Sequence, residues 1–273
     1  RTRISAHPSA FILHPFPSPN PMPTNLIAVN IGSYRKHREG AYAHLEQLGI
    51  RHVEIPVPAA DQLDQAQERL RSHGLTASSL NCPCDLAADL ETFREKLAVG
   101  KAMGVPIFFI SAKCGELPKP EAYRRLRARA ELADEYGITL SLETHPDLGE
   151  NATEARATIL AANHPRLRWN LDTANLYYYN QNIDVLTEAR KGLDLIASVH
   201  LKDTNGGYRA WWFPALGEGV VDFKGVFELL NNRGFYGPFT FELERIEGED
   251  LDEAAVQERV AASLRYLQKL GVA

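Results

Sequence analysis

The sequence predicts a single-domain α/β protein, a closed (β/α)8 (TIM) barrel. From Asn25 onward, short β-branched or aromatic runs alternate with helical stretches, eight times in all. The repeat is roughly thirty residues, too short for a second domain to intervene between units. Several helical stretches also end on the glycine expected just past a helix C-terminus. Strands separated by helices imply a parallel sheet with helical cover, and eight units in about 250 residues fit closure into a barrel. An open, doubly wound sheet usually shows a glycine-rich turn after its first strand, whereas "NIGSYRKH" offers one glycine.

The units follow in order. "NLIAVNI" leads to "EGAYAHLEQLG", closed by Gly49; "HVEIP" leads to "ADQLDQAQERLRSHG", closed by Gly74. "LTASSLN" precedes "DLETFREKLAVGKAMG", and the apolar "VPIFFIS" precedes "PEAYRRLRARAELADEYG". "ITLSLETH" is followed by "NATEARATILAANH", and "LRWNLDTAN" by "NIDVLTEARKGL". "LIASVHLKD" leads to "FKGVFELLNNRG", and "GPFTFELE" to "EDLDEAAVQERVAASLRYLQKLG". The barrel is therefore assigned to residues 24–273. Residues 1–23, "RTRISAHPSAFILHPFPSPNPMP", lack acidic residues and are dense in proline, which opposes helix and sheet pairing. Their short apolar centre is diluted for a signal or transit peptide, so an unstructured extension is expected.

With 44% hydrophobic and 24% charged residues, the composition is that of a soluble globular chain. A net charge of −5 gives no general attraction for nucleic acid or an anionic membrane. No apolar run approaches the ~20 residues needed to cross a bilayer. Three cysteines are too few for a disulfide scaffold, so a cytoplasmic location is expected. "CPC" reads as small buried hydrophobes rather than a metal fragment.

In this fold the chemistry sits where strands run out into the following loops. Side chains alternate across a strand. If Ile138, Leu140 and Leu142 face the helices, Glu143 and His145 turn inward. Likewise Leu167, Trp169 and Leu171 outward send Asn170 and Asp172 inward; Val199 and Leu201 outward send His200 and Lys202 inward. Phe239, Phe241 and Leu243 outward leave Glu242 and Glu244 inward, and parity does not choose between them. Three carboxylates converging without a balancing cation repel one another. One divalent ion held by three carboxylates and an imidazole removes that difficulty. The donors suit Mn above all, then Mg or Co, with Zn or Fe also accommodated.

"LSLETH", "WNLDTAN", "VHLKD", "LGEGVVDFKGVFELL" and "YGPFTFELE" resemble the last four strands of the xylose-isomerase-like barrels, the sugar phosphate isomerase/epimerase family. The resemblance covers most of residues 25–270. It implies metal ligands Glu143, Asp172, His200 and Glu242, the last being the first Glu after the "GPFTF" run. The family often has His three residues after the Asp, where this chain has Asn175. It also includes endonuclease IV-like nucleases, which need many more histidines for a multinuclear zinc site. Its barrels often associate, so a homo-oligomer is compatible.

The implied activity is isomerisation or epimerisation of a sugar, keto-sugar or polyol, with Glu143 and Glu242 moving a proton through an enediolate that the ion stabilises. The same ligands would support a lyase removing water from a keto-sugar or keto-inositol. A nuclease and a non-catalytic sugar-binding barrel compete less well. Lys202 is a candidate for substrate oxygen, or for a salt bridge to a neighbouring carboxylate. His145, Asn175 and Arg209 are further candidate substrate contacts; Asp203 reads as loop-fixing. Glu54 has the parity to reach the mouth but no assigned partner. The long loop Gly206 to Gly219 brings Trp211 and Trp212 to a sugar ring or to a subunit interface. The absence of a GxxxxGK loop favours a non-phosphorylated sugar.

Overall fold

The computed structural model describes residues 24–273; the extension expected over 1–23 lies outside the described residues. Eight parallel strands close in sequence order: β1 (Ile27–Asn30), β2 (His52–Pro56), β3 (Thr76–Cys84), β4 (Ile107–Ala112), β5 (Thr139–Leu142), β6 (Leu167–Asp172), β7 (Ile196–Leu201) and β8 (Phe239–Phe241). The seam pairs Ile27 with Phe239 and Val29 with Phe241. Around the barrel lie α1 (Arg38–Gln47), α2 (Leu63–Ser72), α3 (Leu90–Ala102), α4 (Lys119–Tyr136), α5 (Ala152–Ala162), α6 (Asn175–Tyr179), α7 (Val185–Gly192), α8 (Phe223–Asn231) and α9 (Glu253–Lys269).

Five of the nine α-helix starts among the described residues are side-chain capped. Asp89, Asn151, Asp184, Asp222 and Asp252 each accept from a backbone N–H of the following turn, satisfying donors that a helix leaves unpaired. Gly137, at φ 74°, ends α4 in the left-handed conformation.

The outward strand residues form the core against the helices. Phe239 stacks on Phe227 of α8 with centroids 4.2 Å apart, and Trp169 is fully buried against Gly192 of α7. The inward residues form a polar layer, in which Ser198 Oγ lies 2.7 Å from both Ser141 Oγ and Asn170 Nδ2. Two features depart from the sequence reading. β3 continues through "CPC", with Cys82 and Cys84 buried and free, and the short α6 follows β6. Among the described residues, no helix is long and apolar enough to cross a membrane.

Candidate active site

The ends of β6, β7 and β8 converge at the open rim. There Asp172, His200 and Glu242 each offer a ligand-type atom within 4.8 Å of the others. Asp172 closes β6, and its Oδ1 accepts from the N–H groups of Ala174 (3.0 Å) and Asn175 (2.9 Å). His200 lies beside the Phe109 ring, its Nε2 3.1 Å from Glu54 Oε1 and its Nδ1 3.2 Å from Glu242 Oε2. Glu54 is itself fully buried and accepts from Asn30 Nδ2 and Ser79 Oγ, both at 2.7 Å. Burial opposes charge on His200, but Glu242 at Nδ1 and Glu54 at Nε2 outweigh it and hold its pKa well above the ordinary value. An ion at Nδ1 would displace the proton there, while Glu54 keeps the one on Nε2.

Lys202 occupies the middle of this arrangement. Its buried Nζ lies 3.0 Å from Asp172 Oδ2, 2.7 Å from Glu242 Oε2, 3.1 Å from Glu244 Oε2 and 3.2 Å from Asn175 Oδ1. The carboxylates therefore do not converge unbalanced, and repulsion alone does not demand an ion. Burial opposes charge on Lys202, but Asp172, Glu242 and Glu244 outweigh it and hold its pKa well above the ordinary value. Burial likewise opposes charge on Glu242, yet Lys202 and His200 hold it well below the usual carboxylate range.

A different observation tests the fit of a metal. Neither Asp172 Oδ2 nor His200 Nδ1 makes a well-aligned hydrogen bond; each has only an ion-pair contact, to Lys202 Nζ at 3.0 Å and to Glu242 Oε2 at 3.2 Å. A divalent cation held by one imidazole nitrogen and two carboxylates would satisfy both. The residues present fit the group.

Glu143 stands outside that three-residue cluster but shares with Glu242 a cavity of about 250 Å³, also lined by Ser111, His145, Asn175, Tyr178, Tyr179, Lys202, Trp211 and Glu244. Burial pushes its carboxyl up to about 7, and Glu242 adds to the rise while a hydrogen bond from Ser111 opposes it. A carboxyl titrating near neutrality is suited to moving protons.

Among the other expected residues, His145 and Asn175 reach the cavity. The His145 ring packs on Tyr179 with centroids 4.7 Å apart, and Asn175 Nδ2 donates to the Thr144 carbonyl at 3.1 Å. Arg209 does not reach it; its Nε donates to the Tyr208 hydroxyl at an exposed position. Trp211 lines the cavity, held edge-on by Tyr178 and Phe213. Asp203 anchors the loop that carries it, accepting from the N–H groups of Thr204, Gly217, Gly219 and Val221. Ser111, Tyr178 and Tyr179 escaped the sequence reading. The tyrosines sit on α6, too short to show a helical period, whereas the inward parity of β4 would have flagged Ser111.

Comparisons with known proteins agree with this fold. The family described as xylose isomerase-like TIM barrel matches residues 42–270. L-ribulose-5-phosphate 3-epimerase UlaE of Shigella flexneri is 29% identical over 174 residues, 60% of this chain and 59% of that protein. For its Escherichia coli counterpart the matched share of the relative is 43%, so the chain spans about half the length of the curated relatives it matches. Among solved structures, a xylose isomerase domain protein from Planctomyces limnophilus superposes with a TM-score of 0.74 at 20% identity, covering 91% of this chain and 98% of that one. The IOLI protein with a bound zinc atom superposes with a TM-score of 0.69 at 19% identity, covering 88% and 97%.

Proposed function

The chain belongs to the xylose isomerase-like TIM barrel family, and from that premise we propose that it is a divalent-metal-dependent epimerase or isomerase of a keto-sugar. The observation that carries this reading is the group Asp172, His200 and Glu242, whose Glu242 lines one cavity together with a carboxyl, Glu143, pushed up to about 7. Its curated relatives are sugar epimerases.

Asp172, His200 through Nδ1, and Glu242 would hold the ion, which when bound supplies Lewis-acid polarisation of a substrate carbonyl. Glu143 works as the base: its carboxylate takes the proton from the carbon beside the carbonyl, and the C–H electron pair moves into an enediolate. Near its pKa, Glu143 is present in both protonation states, so it can accept a proton and release one. Return of a proton taken from solvent to the opposite face inverts the carbon; delivery by the protonated Glu143 to the former carbonyl carbon isomerises the sugar. The Lys202 ammonium lies against the cavity and offsets charge developing on the enediolate oxygens. His145 and Trp211 line the wall where sugar hydroxyls would bind.

The test is deuterium incorporation from solvent into a panel of ketoses and keto-inositols by the manganese-loaded protein. The expected result is exchange at the carbon beside the carbonyl, abolished in Glu143→Gln with the circular dichroism spectrum retained. Loss of water from a keto-inositol, with no exchange into any ketose, would replace this reading by a lyase. Retained exchange in Glu143→Gln would remove the assigned base.

A further inference from the structure

We propose that a second cavity, between the loops that follow β1 and β8, binds a phosphate group carried at the far end of the sugar. This rests on the epimerase reading and names its substrate class. The cavity measures about 210 Å³ and opens among Ser33, Arg35, Arg245 and Arg259. Glu244 lines both this cavity and the candidate active site, so the two adjoin across one side chain.

Four cations border the cavity, and two are already spent. Lys36 Nζ bonds Asp250 Oδ1 at 2.7 Å, and Arg259 Nη2 bonds both Glu249 oxygens at 2.9 Å. The third bordering carboxylate, Glu244, is taken by Lys202. Arg35 and Arg245 form no ion pair among the described residues. Arg35 Nε is moreover buried with no hydrogen-bond partner, an N–H donor that costs stability until an acceptor reaches it.

The backbone holds Arg35 in place at some expense. Its φ of 55° is rare for a side chain of this size. Burial first, then the charge of Arg245, disfavours the Arg35 guanidinium; Glu244 partly offsets this, and Arg259 and Arg38 add smaller effects in the first direction. Crowded guanidinium groups with spare donors are matched by a multiply charged tetrahedral anion, which accepts bidentate bonds from more than one fork. The net charge of −5 provides no general attraction for an anion, so capture must be local. Side-chain forks also make the missing GxxxxGK loop irrelevant to phosphate binding. A ketose phosphate would place its carbonyl by Asp172, His200 and Glu242 and run past Glu244 to these arginines.

The experiment compares ribitol with ribitol 5-phosphate by calorimetry on the manganese-loaded full chain, alongside solvent exchange into ribulose, ribulose 5-phosphate and a keto-uronic acid. Ribitol 5-phosphate is expected to bind about tenfold or more tightly than ribitol, as charge-assisted hydrogen bonds require. That preference should collapse in Arg35→Gln and in Arg245→Gln; the second lies at an exposed position and guards against a folding failure of the first. Equal binding of the two polyols, an unchanged preference in both variants, or preference for the uronic acid would overturn the proposal. Phosphate-dependent binding without exchange into any ketose would keep this site and remove the epimerase reading. Exchange into free ribulose with no phosphate preference would do the reverse.

Discussion

At the scale of single residues, Glu54 bears on which nitrogen of His200 would face an ion. Its carboxylate is fully buried, takes bonds from Asn30 and Ser79, and lies 3.1 Å from His200 Nε2. Removing that charge while keeping the shape releases the imidazole tautomer. Glu54→Gln is therefore expected to fold and to lose about 10–100-fold in metal affinity, read by manganese calorimetry. An affinity equal to that of the unsubstituted protein would show that Glu54 does not orient the ligand. Glu54→Ala should also lower stability by about 1–3 kcal/mol, because the Asn30 and Ser79 donors then lie buried without an acceptor. The contrast between the two variants separates a positioning role from a packing one.

At the scale of elements, the barrel wall depends on small helical residues set against large strand residues. A Cβ on Gly192 would lie 2.4 Å from the Trp169 ring, and one on Gly100 would lie 2.3 Å from Phe108. Neither ring can yield by rotating a flexible end. Gly192→Ala is expected to lose about 1–3 kcal/mol to overpacking, more than the up to about 1 kcal/mol that helix propensity returns; a urea midpoint at or above that of the unsubstituted protein would contradict this. The same alternation made the strands legible in the sequence. Trp169 and Phe239 had to face helices, which turned Asp172, His200 and Glu242 inward. Parity fixes direction but not distance. It could not show that the Lys202 ammonium reaches two of the three clustered side chains, or that Glu143 stands outside the cluster. Glu54 was beyond reach for another reason: β2 and β7 are not neighbours, and their contact exists only because the sheet closes on itself. The helix α6 was missed because "NLYYY" is shorter than two helical turns.

At the scale of the whole molecule, the clustered groups come from three adjoining strand ends, and a bound ion would tie them together. β8 is also the strand that closes the barrel onto β1, through only three residue pairs. A cation that binds the folded barrel and not the unfolded chain adds about 2.7 kcal/mol of stability at a concentration one hundred times its dissociation constant. For a chain of this size that corresponds to a rise in Tm of roughly 5–10 °C. Lys202 limits the gain, because its ammonium already bonds Asp172 Oδ2 and Glu242 Oε2 and must be displaced when an ion enters. Lys202→Met should therefore lower the Tm of the chelator-treated protein, by leaving Asp172 and Glu242 without their counter-charge. It should also enlarge the increment that manganese restores. Scanning calorimetry of both proteins, with and without chelator, checks both signs. If manganese raises neither Tm, the Asp172, His200 and Glu242 group is held by Lys202 alone and does not bind the ion.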